Sequence, residues 1–433
     1  HRGQESAGMV VSDEKSVSQL KKMGLVSEVF NDENLKSLKG HLAIGHVRYS
    51  TTGSSVVKNA QPFLVEYAND SLAVGHNGNL VNAAELRAKL EKEGAIFQTT
   101  MDSEIILHLI ARSKKKFFQD KLIDALSKIK GAYSLVFLTK DQIIGVRDPN
   151  GFRPLCLGQV DGAWVLASET CALDLIQARY VRDVEPGEIV FINKRGIHSV
   201  SPFPKARHAF CIFEYIYFAK PDSNIFGQSV YLTRKRLGNK LFEEKPEYGV
   251  DMIIPVPDSG NCAALGYAES SRVPFELGIV RNHYIGRTFI QPTQHIRDFG
   301  VKIKLNPVKE LLKGKCVVLV EDSIVRGTTS RARVKAVRDA GAKEVHMRVS
   351  CPPLKYPCYY GIDFPTKEEL IASARSVEEI RDYIGLDSLG YLSIEGMLSS
   401  MPLPKEEFCT CCFTGDYPIP VKNKVSKYSL EKR

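Results

Sequence analysis

The sequence predicts two domains built on different plans, a layered αββα sandwich (α+β) followed by an α/β unit with a mostly parallel sheet. Two observations carry this. From residue 251 onward, short apolar runs alternate with helical stretches, as βαβ units with helices on both sheet faces do. Before residue 201, short strands separated by turn signals follow two amphipathic helices, which suits a layered sandwich better than a doubly wound sheet. A chain of 433 residues accommodates both.

In the first half, a helix is predicted over 83–93, with Asn82 at its start, Glu85 three residues on and Gly94 at its end. A second helix spans 103–111. Strands follow at 133–138, 143–146, 163–167 and 188–192, with the turn Asp148-Pro149-Asn150-Gly151 between them. The run Ser201-Pro202-Phe203-Pro204 interrupts the pattern. The expected organisation is therefore a first domain over 1–205, a junction over 206–230, a second domain over 231–390 and a C-terminal helix and tail over 391–433.

The second half opens with a buried-strand run at 251–257, followed by Asp258, Ser259 and Gly260, small polar residues that let backbone approach a pyrophosphate. A helix at 263–270 and strands near Phe275 and at 345–351 continue the alternation. The most informative stretch is 317–330. Val317, Val318, Leu319 and Val320 form a strand buried on both faces, and Glu321 and Asp322 follow at its carboxyl end. Arg326, Gly327, Thr328, Thr329 and Ser330 then lead to a helix expected near Arg331, a ready anion site. Acids beside a phosphate cradle can bind sugar hydroxyls or hold magnesium. Between these segments lies a basic loop with Arg287, Arg297, Lys302 and Lys304, placed to close over a diphosphate. The order of apolar strand, acid pair and Gly-Thr-Thr turn resembles the fingerprint of type I phosphoribosyltransferases.

Four segments of the first half resemble the glutaminase domain of N-terminal-nucleophile amidotransferases: His1-Arg2-Gly3-Gln4-Glu5-Ser6-Ala7-Gly8, Gly45-His46-Val47-Arg48-Tyr49, Gly75-His76-Asn77-Gly78-Asn79 and Met101-Asp102-Ser103-Glu104. Arg48 can grip the α-carboxylate of glutamine and Asp102 its α-ammonium. The Asn77 side chain and the Gly78 N–H can stabilise an oxyanion. Taken together, the two halves resemble the glutamine phosphoribosylpyrophosphate amidotransferases over nearly the whole chain.

That resemblance implies hydrolysis of glutamine in the first domain and passage of ammonia inside the protein. In the second domain, ammonia displaces pyrophosphate from Mg2+-bound phosphoribosylpyrophosphate, giving 5-phosphoribosylamine and opening purine synthesis. Ser259, Glu321 and Asp322 would serve the magnesium–ribose–pyrophosphate end, with Glu321 standing where the family usually has Asp. Arg326 to Ser330 would hold the 5-phosphate, and Arg287 and Lys304 would contact substrate. The resemblance further implies a homo-oligomer (tetramer) with purine nucleotides as feedback inhibitors. The family's nucleophile is a cysteine at the mature N-terminus, whose own α-amine acts as base. This sequence begins at His1, within the motif downstream of that cysteine. An N-terminally truncated chain is therefore expected, lacking the first strand and inactive toward glutamine. An ammonia-dependent phosphoribosyltransferase and a non-catalytic nucleotide-binding regulator remain the alternatives.

The sequence holds ten cysteines and neither a secretory signal nor a long apolar segment, so it reads as cytoplasmic with reduced thiols. Cys409 and Cys412 form a C-x2-C pair that needs two further ligands. The resemblance supplies Cys211 and Cys358 and implies a 4Fe–4S cluster, although spacing alone equally allows zinc. Cys411 has no counterpart in that pattern. A net charge of +9 suits anionic substrates, and there is no arginine-rich helix or aromatic signature of nucleic-acid binding.

Overall fold

The structure, a computed structural model, describes residues 1–67, 70–282, 305–364, 366–421 and 428–431. Its first half is built on an antiparallel six-stranded sheet in the order Gly196–Val200, Ile189–Asn193, Gln142–Arg147, Gly131–Leu138, Asp70–Leu80, Phe63–Tyr67. Side chains alternate across this sheet with the strand period of two. Tyr133, Leu135 and Phe137 pack with Ile105, Ile106 and Ile110 of helix Ser103–Arg112 and with Leu122 of helix Phe118–Leu126. Their neighbours Val136 and Leu138 turn the other way, onto Val10 and Ile44.

Those last two residues belong to a second sheet of three strands, Val17–Met23, Ser6–Ser12 and Leu42–Arg48. A further sheet, Arg179–Asp183, Cys156–Val160 and Ala163–Ala167, extends this layer and carries the short helix Thr170–Leu175, whose Leu173 packs on Cys156. Helices, two sheet layers and short outer helices make up the expected sandwich.

The second half centres on a parallel sheet ordered Met252–Pro255, Cys316–Glu321, Glu344–Val349, Ser388–Tyr391. Val317, Val318, Leu319 and Val320 are fully buried, because helices such as Asn261–Ser271 and Thr328–Asp339 cover the sheet. Every strand runs the same way, so their carboxyl ends gather at one edge, where open α/β sheets bind ligands.

Three local expectations change. Phe275 makes only an isolated parallel bridge to Ile253 rather than a strand. Helix Thr328–Asp339 begins three residues earlier than expected, because Gly327 at φ +75 starts it directly from the loop. Asn82 does not cap helix Ala83–Lys92. Its side chain instead donates to the Lys128 carbonyl (3.0 Å) and accepts from the Lys130 N–H (2.9 Å), a tertiary pairing that outcompetes the local cap.

The halves meet over buried charge. Glu214, on the turn of helix Glu214–Phe218, is completely buried and lies 2.9 Å from Arg153 and 2.7 Å from Arg2. Arg2 also pairs with Glu169, which accepts from the Ser223 hydroxyl (2.7 Å) and the Lys220 N–H (2.8 Å). Removing one partner of such a pair strands the others in a dry site. Glu214→Gln is expected to destabilise the chain by about 3–5 kcal/mol, read as a lower denaturant midpoint. An unchanged midpoint would show that the seam does not depend on this charge.

Candidate functional site

Strand Leu42–Arg48 delivers His46 and Arg48 to a pocket in the first half, and strand Asp70–Leu80 delivers His76, Asn77 and Gly78. Asp102, just ahead of helix Ser103–Arg112, closes one side, and Gln61, Thr51 and Thr52 add polar lining. No cysteine lines this pocket among the described residues.

Arg48 is buried, and its guanidinium donates to the Ser54 carbonyl (3.1 Å) and the Thr52 carbonyl (2.7 Å), fixing the loop over the pocket. Asp102 accepts from the Leu80 N–H at 2.9 Å and lies 3.4 Å from His76 Nδ1. Burial works against the Asp102 carboxylate, but His76 and the surrounding N–H groups outweigh it and hold its pKa below the usual range. His76 is affected in the opposite sense. Burial opposes its charge, yet Asp102 raises its pKa overall. The Asn77 Nδ2 is buried and has no hydrogen-bond partner among the described residues, so a donor stands ready in the pocket wall. The structure thus gathers Arg48, Asp102, Asn77 and Gly78 around one cavity.

His46 and His76 were not singled out by the sequence reading, although both sit inside the Gly-His motifs. Burial pushes His46 down to about 3 from 6.5, and the charges of His76 and Arg48 add to this. A depressed folded pKa contributes stability that is complete above the unfolded value and is lost as pH falls toward the folded one. His46→Gln should therefore flatten the loss of thermal stability between pH 6.5 and 3 relative to the parent. Parallel melting curves would count against His46 as a source of acid sensitivity.

At the carboxyl edge of the parallel sheet, Glu321 and Asp322 end strand Cys316–Glu321, and Gly327 heads helix Thr328–Asp339. Thr328, Thr329 and Ser330 form its first turn, so their N–H groups point out of the helix N-terminus. The Cβ of any other residue at Gly327 would come within 2.6 Å of Ile371. Arg326 pairs with Glu369 at 3.0 Å. Ser259 and Gly260 end the neighbouring loop after strand Met252–Pro255, and Asp258 is ion-paired with Arg281. Glu321 is ion-paired with Arg333, a partner that the sequence reading missed because it lies on the far side of the turn, on the next helix. Burial, reinforced by Asp322, nevertheless pushes Glu321 up to about 8. Asp322 accepts from the Ser323 hydroxyl at 2.5 Å. Arg287, Arg297, Lys302 and Lys304 lie outside the described residues.

A third constellation lies at the seam. Strand Phe210–Cys211 pairs in parallel with Phe408–Cys409, setting Cys211 opposite Cys409. Both, with Cys358, Cys411 and Cys412, line one small cavity whose remaining walls are aromatic and aliphatic, among them Phe152, Tyr360 and Ile362. Cys411, set apart in the sequence reading, is brought into the same cavity, its Sγ 3.4 Å from that of Cys409. A hydrogen bond from Cys411 draws the Cys358 thiol down to about 7, while burial pushes Cys211 up to about 12. All ten cysteines are free.

Residues 46–175 match the family model of a glutamine amidotransferase domain. With a parallel α/β sheet behind it, the fold defines a two-domain glutamine-dependent transferase. Over the whole chain, similarity extends to Amidophosphoribosyltransferase 1, chloroplastic, of Arabidopsis thaliana, 55% identical over 430 residues that cover 99% of this chain and 76% of that one. The Amidophosphoribosyltransferase of Methanothermobacter thermautotrophicus is 48% identical, with 99% and 90% covered. The solved glutamine phosphoribosylpyrophosphate amidotransferase from B. subtilis, complexed with ADP and GMP, superposes with a TM-score of 0.92 at 47% identity, covering 99% of this chain and 94% of that chain. The chain belongs to the amidophosphoribosyltransferase family.

Proposed function

We propose that this chain makes 5-phosphoribosylamine from phosphoribosylpyrophosphate and glutamine-derived ammonia, the first step of de novo purine synthesis. The observation that carries it is the pairing, in one chain of this family, of the Arg48–Asp102–Asn77 pocket with the acid pair and Gly327 cradle. In the first, Asp102 takes the α-ammonium of glutamine, its carboxylate kept ionised beside His76. Arg48 faces the α-carboxylate, and the unpartnered Asn77 amide with the Gly78 N–H receives the oxyanion. In the second, ammonia bonds to C1 of the ribose as the C1–O bond to pyrophosphate breaks. The N–H groups of residues 327–330 hold the 5-phosphate. Asp258, Ser259 and Gly260 face the pyrophosphate, and Arg287 and Lys304, outside the described residues, are the proposed further substrate contacts.

Asp322 and Glu321, with Ser259, offer the hard oxygen donors that magnesium takes, and Arg333 must yield part of its hold on Glu321 for that carboxylate to take part. Bound magnesium would neutralise the charge gathering on departing pyrophosphate. The thiol-rich cavity fits a cluster: five sulfurs face one space, and the other walls are apolar. Cys211, Cys358, Cys409 and Cys412 are the proposed ligands, tying the tail to the junction. ADP and GMP in the B. subtilis complex make purine nucleotides the candidate regulators, acting on a homo-oligomer.

Three tests follow. In calorimetric titration with magnesium and phosphoribosylpyrophosphate, Asp322→Asn and Gly327→Val should each weaken binding at least tenfold, and two variants binding like the parent would place the site elsewhere. Anaerobically purified protein should contain about four irons and four sulfides per chain, the stoichiometry of a cubane. Cys358→Ser and Cys412→Ser should lose them and Cys411→Ser should keep them; a colourless protein with stoichiometric zinc would overturn this assignment. Finally, pyrophosphate release from phosphoribosylpyrophosphate should be supported by ammonium salt as the nitrogen donor. Failure of ammonium to support release would refute the transferase reading.

A further inference from the structure

The pocket around Asn77 and Gly78 is not completed by its own half. Gly361, three residues beyond Cys358, lines it, and a Cβ there would come 2.9 Å from Gly78 Cα and 3.0 Å from Gly78 C. Gly361 also holds φ +99, a conformation open to glycine and strained for other residues. Two residues earlier, the Tyr359 carbonyl accepts from Asn79 Nδ2 at 3.0 Å. Asn79 Oδ1 in turn accepts from the Thr52 hydroxyl, in the loop whose carbonyls hold Arg48.

The other end of this segment is equally fixed. The Tyr360 N–H donates to Cys358 Sγ at 3.3 Å, its ring stacks on Phe152 with centroids 4.4 Å apart, and its hydroxyl donates to the Ile419 carbonyl at 2.7 Å. Cys358 and Tyr360 both line the thiol cavity. Four consecutive residues therefore run from the thiol cavity to the backbone of residues 77–79 in strand Asp70–Leu80. Close-packed contacts of this kind transmit displacement rather than absorb it.

We propose that residues 358–361 form a strap that positions the Asn77–Gly78–Asn79 stretch of strand Asp70–Leu80, so that the state of the thiol cavity is felt at the glutamine pocket. Gly361 and Tyr359 are positioning residues and touch no reacting atom. The inference rests on the glutamine-pocket reading above. An oxyanion donor displaced by a fraction of an ångström still allows substrate to bind but loses stabilisation of the transition state, so the strap acts on kcat rather than KM. Coupling must also be reciprocal: glutamine held in the pocket should tighten the cavity's hold on its cluster.

The test uses the full-length, iron-loaded protein. Gly361→Ala adds the Cβ that meets Gly78, and Asn79→Asp replaces the donor to Tyr359 with an acceptor of the same shape, which serves should the first variant fold poorly. The ratio of glutamine-dependent to ammonia-dependent kcat should fall at least tenfold in either variant, with KM for glutamine within about threefold of the parent, since oxyanion donors are worth about 100-fold or more. Saturating glutamine should slow iron release to a chelator at least twofold in the parent and not in Asn79→Asp. A ratio within twofold of the parent in both variants, or iron release in the parent indifferent to glutamine, would overturn the strap. A parent that uses ammonia and never glutamine would instead refute the pocket reading itself, and the strap with it.

Discussion

Glu214 carries a charge into a place no water reaches, and the seam between the two halves is organised around neutralising it. Arg153, also fully buried, and Arg2 approach it from the first half, and Glu169 balances Arg2 in turn. Two cations and two anions leave no net buried charge. Each charge keeps its counter-charge only while both halves remain docked. Arg153 and Arg2 also sit over the Phe218 ring, at 4.8 and 4.9 Å, so the same cations fix the aromatic that lines the pocket around Arg48, Asn77 and Asp102. Docking and pocket shape are thereby set by one cluster.

The cysteine cavity lies on this seam and uses three separate stretches of chain. Cys211 belongs to the junction, Cys358 to the segment after the parallel sheet, and Cys409, Cys411 and Cys412 to the tail. The two-residue parallel pairing of Phe210–Cys211 with Phe408–Cys409 is too short to hold the tail by backbone hydrogen bonds alone. Phe408 and Phe413 add apolar anchorage in the core of the second half. A cluster bound there would join the remaining loose ends, converting side-chain contacts into covalent ligation.

At the phosphate edge, charge is handled differently. The edge of a parallel sheet collects acids beside a helix N-terminus, and the protein relieves the repulsion between Glu321 and Asp322 with Arg333 and with burial that favours protonated Glu321. Asp322 accepts from the neighbouring Ser323 hydroxyl, a neutral partner, whereas Glu321 is held by the Arg333 cation. Thr328, Thr329 and Ser330, the first three residues of the helix, all carry hydroxyls.

Much of this was legible in the residues. The apolar run Val317–Val320, the acids after it and the Gly-Thr-Thr turn determined a strand, its carboxyl end and the start of the next helix to within three residues, because each depends on neighbours within a few positions. Strands Gly131–Leu138 and Ala163–Ala167 were marked by the same local periodicity. The four motifs of the first half assigned Arg48, Asn77, Gly78 and Asp102 to one glutamine, and the structure sets them around one cavity. The strands of the first 80 residues went unassigned, since runs such as Leu42–Arg48, only half buried, show no clean alternation. What only the tertiary structure decided was partnership over long separations: Arg333 on Glu321, Asn82 on the Lys128–Lys130 turn, Glu214 between Arg2 and Arg153, Cys411 beside Cys409 in a five-thiol cavity, and Gly361 against Gly78. Periodicity tells which face of an element is buried. It does not tell which distant side chain will meet that face, because that choice is made by how the layers and the two halves dock.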